Sequence, residues 1–266
     1  MSNFDANYVP KSAMTIFAHP DDAEFSASGT LAKWAKAGCE VTLVACTSGN
    51  AGTHDLKYTR ETLARTRARE QKAAAKVVGV KSVVFLGHDD CQLQPTLELR
   101  RELVREIRKY KPEVVISGNP NGWLFGNEYI NHPDHRAAAA AALEAVFPCA
   151  EMELLWPEEG KAHKVHAVYV SSTDMADTWI DITETIDLKI ESLKAHSSQA
   201  VDWDWDLSKG IREWAAGEAK NGRKKMKPAK SKKDKKGKKQ KGKMKYAEAF
   251  RVMKLKDEEK PAEVKE

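Results

Sequence analysis

The sequence is poor in cysteine, and the four it has show no pattern. Cys39, Cys46, Cys91 and Cys149 lie far apart in 266 residues with no Cys-x-x-Cys pair, which excludes a disulfide framework and a cysteine zinc site and leaves buried, reduced thiols as the expectation. No stretch approaches the ~20 consecutive apolar residues that span a bilayer. Residues 1–12 lack the charged start, apolar run and small-residue cleavage site of a secretory leader, so a cytoplasmic protein is expected. Internal repeats are absent as well. With 41% hydrophobic residues the chain is not collagen-like or wholly disordered, and its length suits one large domain or at most two.

A uniform surplus of one charge is also missing. The total of 44 Lys plus Arg against 39 Asp plus Glu gives +5, but Lys220 to Lys245 alone hold 15 bases and one acid, Asp234, a net of +14. The other 240 residues carry 29 bases and 38 acids, a net of −9. The basic total therefore does not make the chain a nucleic-acid binder.

Apolar, β-branched runs alternate with helical patterns, the signature of βαβ units around a mainly parallel sheet with helices on both faces, an α/β, Rossmann-like class. Strands are expected over residues 14–18, 40–46, 82–86, 113–117, 165–171 and 178–182. Helices are expected over 28–37, 59–78, 98–110, 134–146 and 184–196. Residues 201–205 alternate Asp and Trp, and the lysine tract that follows has too few apolar residues to offset its chain entropy, so 220–245 reads as a disordered insertion. Residues 246–255 then recover a helix-like apolar pattern. The division is one domain of residues 1–219 plus 246–266, interrupted by the tract.

The chemistry-bearing residues sit where strands end, at the loops that line the ligand crevice of a parallel sheet. His19-Pro20-Asp21-Asp22-Ala23-Glu24 follows the first strand, and Asn131-His132-Pro133-Asp134-His135-Arg136 opens the alanine-rich helix after the fourth. Taken singly, either cluster reads equally as a turn and helix cap. Together they fit a metal site. His19, Asp22 and His135 could supply a His₂Asp set that leaves one position for water. Asp21 is then free to take a proton, His132 to face an oxyanion or leaving group, and Asp134 to orient an imidazole.

These motifs resemble the LmbE-like, or PIG-L, family of zinc-dependent N-acetylglucosaminyl deacetylases. The likeness rests on residues 18–24 with Ser28-Gly29-Thr30-Leu31, on Thr47-Ser48-Gly49, and on His132-Pro133-Asp134-His135-Arg136. Fainter echoes are Arg67-Ala68-Arg69-Glu70, Lys194-Ala195-His196-Ser197-Ser198-Gln199 and Tyr246-Ala247-Glu248-Ala249-Phe250-Arg251. They run in family order over residues 13–251, all but the lysine tract. The resemblance implies the LmbE-like fold, zinc ligands His19, Asp22 and His135, and Asp21 as general base. His132, with Asp134 as its partner, would stabilise the tetrahedral intermediate or protonate the leaving amine, and Arg67 would stand at the sugar-binding mouth. Two departures stand out. Ala23 separates Asp22 from Glu24, which leaves Glu24 a structural role, and Tyr129 lies three residues before His132 where some members place a tyrosine immediately before the cluster.

The implied reaction is hydrolysis of an acetamido group on an amino sugar of N-acetylglucosamine type, with loops 47–56 and 119–131, including Trp123, around the mouth. Iron(II) suits the same donor set. The alternatives are an amidase acting on a thiol-sugar conjugate and a noncatalytic, polyanion-binding member tethered by the tract. The implied partners are a small amino-sugar substrate, a weak polyanion contact through residues 220–245 and a further copy of the chain.

Overall fold

Residues 13–18 are buried on both sides, so the first strand belongs at the centre of a sheet covered on both faces. The computed structural model describes residues 6–200, 205–225 and 244–255. In chain order these form β1 (Ser12–Phe17), α1 (Asp22–Lys36), β2 (Glu40–Thr47), α2 (Arg60–Val78), β3 (Ser82–His88), α3 (Leu97–Tyr110), β4 (Val114–Ser117) and a hairpin of β5 (Leu124–Phe125) and β6 (Tyr129–Ile130). There follow α4 (Pro133–Val146), β7 (Ala167–Val170), β8 (Thr178–Asp181), α5 (Ile186–Lys194), α6 (Ser197–Ala200), α7 (Leu207–Lys225) and β9 (Ala247–Lys254).

The main sheet runs β3-β2-β1-β4-β7-β9-β8. Its first five strands are parallel, and β9 lies antiparallel between β7 and β8. The chain winds outward from β1 to β3 and then crosses to the other side of β1 to place β4. This leaves a crevice between the carboxyl ends of β1 and β4, the topological switch point where open α/β sheets bind ligands. The first His-Pro-Asp cluster leaves β1 there, and the second opens α4 after the hairpin that follows β4.

Alternation along β1 divides the core. Ala13 and Phe17 face Leu31 and Trp34 of α1, Ile190 and Leu193 of α5 and Ile211 of α7. Met14 and Ile16 face Leu103 and Ile107 of α3 and Ala138, Ala141 and Ala145 of α4. The alanine face of α4 keeps that helix close to the sheet, which brings its first turn to the crevice.

Three expectations change. Residues 246–255 are extended rather than helical, with β9 at their centre. So short an apolar run fits either period, and β7 and β8 each present backbone groups that only a strand can pair. The helix after β1 begins at Asp22, not near residue 28. Finally, residues 220–225, read as disordered, close α7, a helix the sequence reading did not assign. Trp179 of β8 supplies the apolar partner that the composition lacked: it packs with Ala219, its Nε1 donates to Glu218 at 2.8 Å, and the Lys225 ammonium lies 5.4 Å from its ring. A Cβ on Gly222 would come within 2.7 Å of that ring, so α7 needs glycine there. Arg223 then donates to the carbonyl of Met244. The rest of the tract, residues 226–243, and residues 201–204 of the Asp/Trp segment lie outside the described residues.

A buried ion pair ties the last strand to the core. Lys189, 2% exposed, donates to Glu248 at 2.6 Å and to the carbonyls of Glu24 and Phe25 at 2.9 and 2.6 Å. Glu248 in turn accepts the backbone N–H groups of Gly29 and Thr30 at 3.0 and 2.7 Å. Removing one partner strands a buried charge, so Glu248→Ala is expected to lower unfolding free energy by about 3–5 kcal/mol in urea titration, whereas Lys189→Met with Glu248→Leu should lose much less. Equal losses in the single and double variants would contradict this.

Candidate metal centre and active site

Asp21 is the N-cap of α1, a position where aspartate ordinarily accepts an N–H from the first turn. Here its side chain caps nothing and its backbone is left-handed, φ 105° and ψ −25°. For a non-glycine residue that conformation costs on the order of 1–3 kcal/mol and persists only where neighbours impose it. The carboxylate turns instead to Arg67 of α2, whose Nη2 donates to Asp21 Oδ2 at 3.2 Å and to the Pro20 carbonyl at 2.6 Å, while Nη1 donates to the Gly49 carbonyl at 3.1 Å. Arg67 is 3% exposed, so it does not lie on a solvated helix face.

Asp22, the first residue of α1, accepts the backbone N–H of His19 through Oδ2 at 2.8 Å. The same oxygen lies 3.5 Å from His19 Nδ1, and Oδ1 lies 3.1 Å from His135 Nε2. The other ring nitrogens are engaged away from this point. His19 Nε2 faces Asp90 Oδ1 at 3.0 Å and Asp134 Oδ2 at 3.3 Å, which makes it the protonated nitrogen. Asn131 Nδ2 donates to the Gly122 carbonyl, which turns Asn131 Oδ1 toward His135 Nδ1 at 3.0 Å. His135 Nδ1 is therefore the donor and its Nε2 lone pair faces Asp22. Thus His19 Nδ1 and His135 Nε2 both converge on the Asp22 carboxylate, an arrangement that either protons on the imidazoles or a shared cation can satisfy. A tetrahedral ion with bonds of about 2.0–2.1 Å holds its donors about 3.3 Å apart; the 3.1 and 3.5 Å contacts are near that length but are made by the two different oxygens of Asp22.

His132 is different. Ring nitrogens of His19, His132 and His135 lie within 4.8 Å of one another, as do donor atoms of His19, Asp90, His132 and Asp134. However, His132 is the N-cap of α4, and its Nδ1 accepts the backbone N–H of Asp134 at 3.2 Å. Neutral His132 must carry its proton on Nε2, which makes it a hydrogen-bond donor and not a ligand. Burial and then the charge of His19 push its pKa down, which keeps it neutral.

The Asp134 carboxylate does not pair with His132. Its oxygens accept the backbone N–H groups of Cys91 and Leu93 at 2.8 and 3.2 Å, and Oδ2 meets His19. What reaches His132 is the backbone N–H of Asp134. Glu24 is buried and accepts Gln71 Nε2 at 2.8 Å.

The electrostatics follow from four carboxylates, Asp21, Asp22, Asp90 and Asp134, against one guanidinium. Burial disfavours protonated His19, yet Asp134, Asp22 and Asp90 outweigh it and hold the imidazole well above the usual histidine range. Burial likewise disfavours the Asp22 anion, but His135 and His19 hold it well below the usual carboxylate range. Asp21 is pushed up by burial, with Arg67 opposing.

The sequence reading gave no role to Asp90, Gln71 or Asn131. Asp90 obeys the rule that exposed the other clusters, since Asp89-Asp90 follows β3 at its carboxyl end. Gln71 lies one helical turn after Arg67. Cys91 is exposed, contrary to the expectation of buried thiols, and its Sγ lies 3.4 Å from His132 Nε2. The hairpin borders the mouth. Trp123 stacks on Arg136 at 3.6 Å, and the Tyr129 phenol, half-exposed, is pushed up by burial and by the Asp22 charge.

Gly49, at φ +63°, lies against Arg67, and a Cβ there would sit 2.4 Å from Arg67 Nη1. Gly38, at φ +95°, has no atom within 4 Å of such a Cβ. Gly49→Ala should therefore cost more than the roughly 1–2 kcal/mol of backbone strain expected for Gly38→Ala and should impair the site. Thermal unfolding and activity of the two variants check this; indistinguishable variants would contradict it.

The family described as PIG-L, GlcNAc-PI de-N-acetylase, matches residues 14–146. Diacetylchitobiose deacetylase of Thermococcus kodakarensis is 32% identical over 202 residues, covering 74% of this chain and 73% of that protein. A probable N-acetyl-alpha-D-glucosaminyl L-malate deacetylase 2 of Bacillus anthracis is 29% identical over 196 residues, covering 70% and 80%. Among solved structures, N,N′-diacetylchitobiose deacetylase from Pyrococcus horikoshii in complex with an inhibitor superposes with a TM-score of 0.74 at 26% identity, covering 94% of this chain and 88% of that one. The mostly parallel sheet, the crevice motifs and these matches along most of its length agree, and the chain belongs to the PIG-L, or LmbE-like, family.

Proposed function

We propose that the chain is a metal-dependent N-deacetylase, a hydrolase that removes the acetyl group from an amino sugar of N-acetylglucosamine type. Relatives named as deacetylases of such sugars support the reaction class. The observation that carries the reading is the convergence of His19 Nδ1 and His135 Nε2 on the Asp22 carboxylate, beside the part-buried Asp21 carboxylate, which does not cap its helix.

His19, Asp22 and His135 would hold the ion, zinc by preference and iron(II) with the same donors. Bound there, zinc supplies Lewis acidity and lowers the pKa of a water in its open position to about 7.

The chain's own groups account for the proton movements. Asp21 accepts a proton from the attacking water, and the burial that raises its pKa strengthens it as a base. His132 donates Nε2–H to the amide oxygen as negative charge develops there, which needs the tautomer that the α4 cap imposes. Collapse expels the amine, which takes up the proton that Asp21 accepted from water, and leaves acetate. Asp90 and Asp134 hold His19, and Asn131 holds His135, with the donor atoms turned inward. Arg67 was expected at the sugar mouth; the role its contacts support is fixing the Asp21 carboxylate.

Metal content and acetate release from N-acetylglucosamine and N,N′-diacetylchitobiose test the reading. Asp21→Ala should keep its metal and lose roughly 10²–10⁴-fold in kcat, whereas His135→Ala should lose the metal. His132→Ala should keep the metal and lose on the order of 10²–10³-fold. A wild-type protein that takes up no divalent metal, with both Asp21→Ala and His135→Ala as active as wild type, would overturn it.

A further inference from the structure

The left-handed backbone of Asp21 has a specific cause, and it lies on α2. The peptide plane between Pro20 and Asp21 carries one acceptor, the Pro20 carbonyl, and one donor, the Asp21 N–H. Arg67 Nη2 donates to the first at 2.6 Å, and Gln71 Oε1 accepts the second at 3.0 Å. Arg67 and Gln71 are four residues apart on one helix, so their side chains share a face. One turn of α2 thus grips both ends of a single peptide plane and fixes the φ of Asp21.

Gln71 is fully buried at 0% exposure, and its amide cannot flip. Its Nε2 donates to Glu24 Oε1 at 2.8 Å, so a turned amide would set an N–H₂ against the Asp21 N–H and a carbonyl against a carboxylate. Glu24 is anchored in α1, and its other oxygen lies 3.6 Å from Nε2 of the buried His196. Neither that oxygen nor either His196 nitrogen has a hydrogen-bond partner among the described residues. Substrate and water do not reach Gln71, and it would touch no metal.

We propose that Gln71 is a positioning residue: with Arg67 it clamps the Pro20–Asp21 peptide, with Glu24 setting its amide, and so aims the Asp21 carboxylate at the attacking water. The proposal rests on Asp21 being the proton acceptor. It assigns to Glu24, which Ala23 separates from Asp22, the task of orienting Gln71.

Zinc-loaded, full-length protein with N-acetylglucosamine as the probe tests this. Gln71→Met keeps the side-chain length and removes the acceptor. It should lower kcat, by on the order of 10²-fold for a displacement near 1 Å, with KM and metal content unchanged. Gln71→Glu keeps the acceptor but opposes Glu24 with a second carboxylate, and should also be impaired. Adding Glu24→Gln to Gln71→Glu restores a donor facing the introduced carboxylate and should recover most of kcat. A purely structural role would lower thermal stability in the single variants yet leave kcat per folded, metal-loaded molecule at the wild-type value; that result overturns the proposal, as does a double variant no better than Gln71→Glu. Asp21→Ala run in parallel separates the two readings. If it stays active, the general-base assignment fails. If it is inactive while Gln71→Met turns over normally, only the clamp fails.

Discussion

Uncompensated negative charge is the constraint on which the crevice depends. Four carboxylates surround two imidazoles with a single guanidinium among them, and Asp22 points both its oxygens at ring nitrogens. Burying such a set is costly unless a cation joins it, and protons on His19 and His135 supply that charge when nothing else does. The surrounding hydrogen bonds then read as restraints that keep lone pairs aimed inward. The Asp90 and Asp134 carboxylates orient one imidazole and an immobilised asparagine orients the other. A third histidine is held in the opposite sense by the helix it caps. Imidazoles separated by a few ångströms thus have different chemistry because their unreactive nitrogens have different partners.

Much of this was legible in the sequence. Strand order in the chain, helix stops at Gly79 and before Pro112, and the two His-Pro-Asp clusters all depend on neighbours a few residues apart. What was illegible depends on neighbours far apart. Asp90 becomes part of the site only once β3 is placed two strands from β1, and Gln71 only once α2 lies across the turn after β1. The partner of Asp134 was misjudged for the same reason: proximity in sequence favoured His132, whereas the fold delivers His19 to its carboxylate. Residues 246–255 show the same limit, because a short amphipathic run takes its conformation from whatever edge or groove it meets. The amino end of α7 could have been read as a helix from its spacing of Ile211, Ala215 and Ala219, but its lysine-rich end needed Trp179 to be visible.

The helices divide the labour. The amino ends of α1 and α4 carry the residues of the centre, and helix amino termini favour anionic side chains such as Asp22 and Asp134. By contrast, α2 supplies no carboxylate or imidazole; its Arg67 guanidinium reaches Asp21 from the side. It grips the turn after β1 and packs against the glycine-rich loop after β2, where Gly49 and Gly52 leave room for Arg67. The tight approach of that loop explains why small residues stand where a larger side chain would push the arginine away.

The hydrogen bond from Arg223 to the carbonyl of Met244 joins the end of α7 to the residues that lead into β9. That strand is held in one register. A slip of one residue in β9 would carry Glu248 to the opposite face of the sheet, away from Lys189 and the amides of Gly29 and Thr30. The ion pair therefore acts as a register pin, holding β9 to one alignment between β7 and β8.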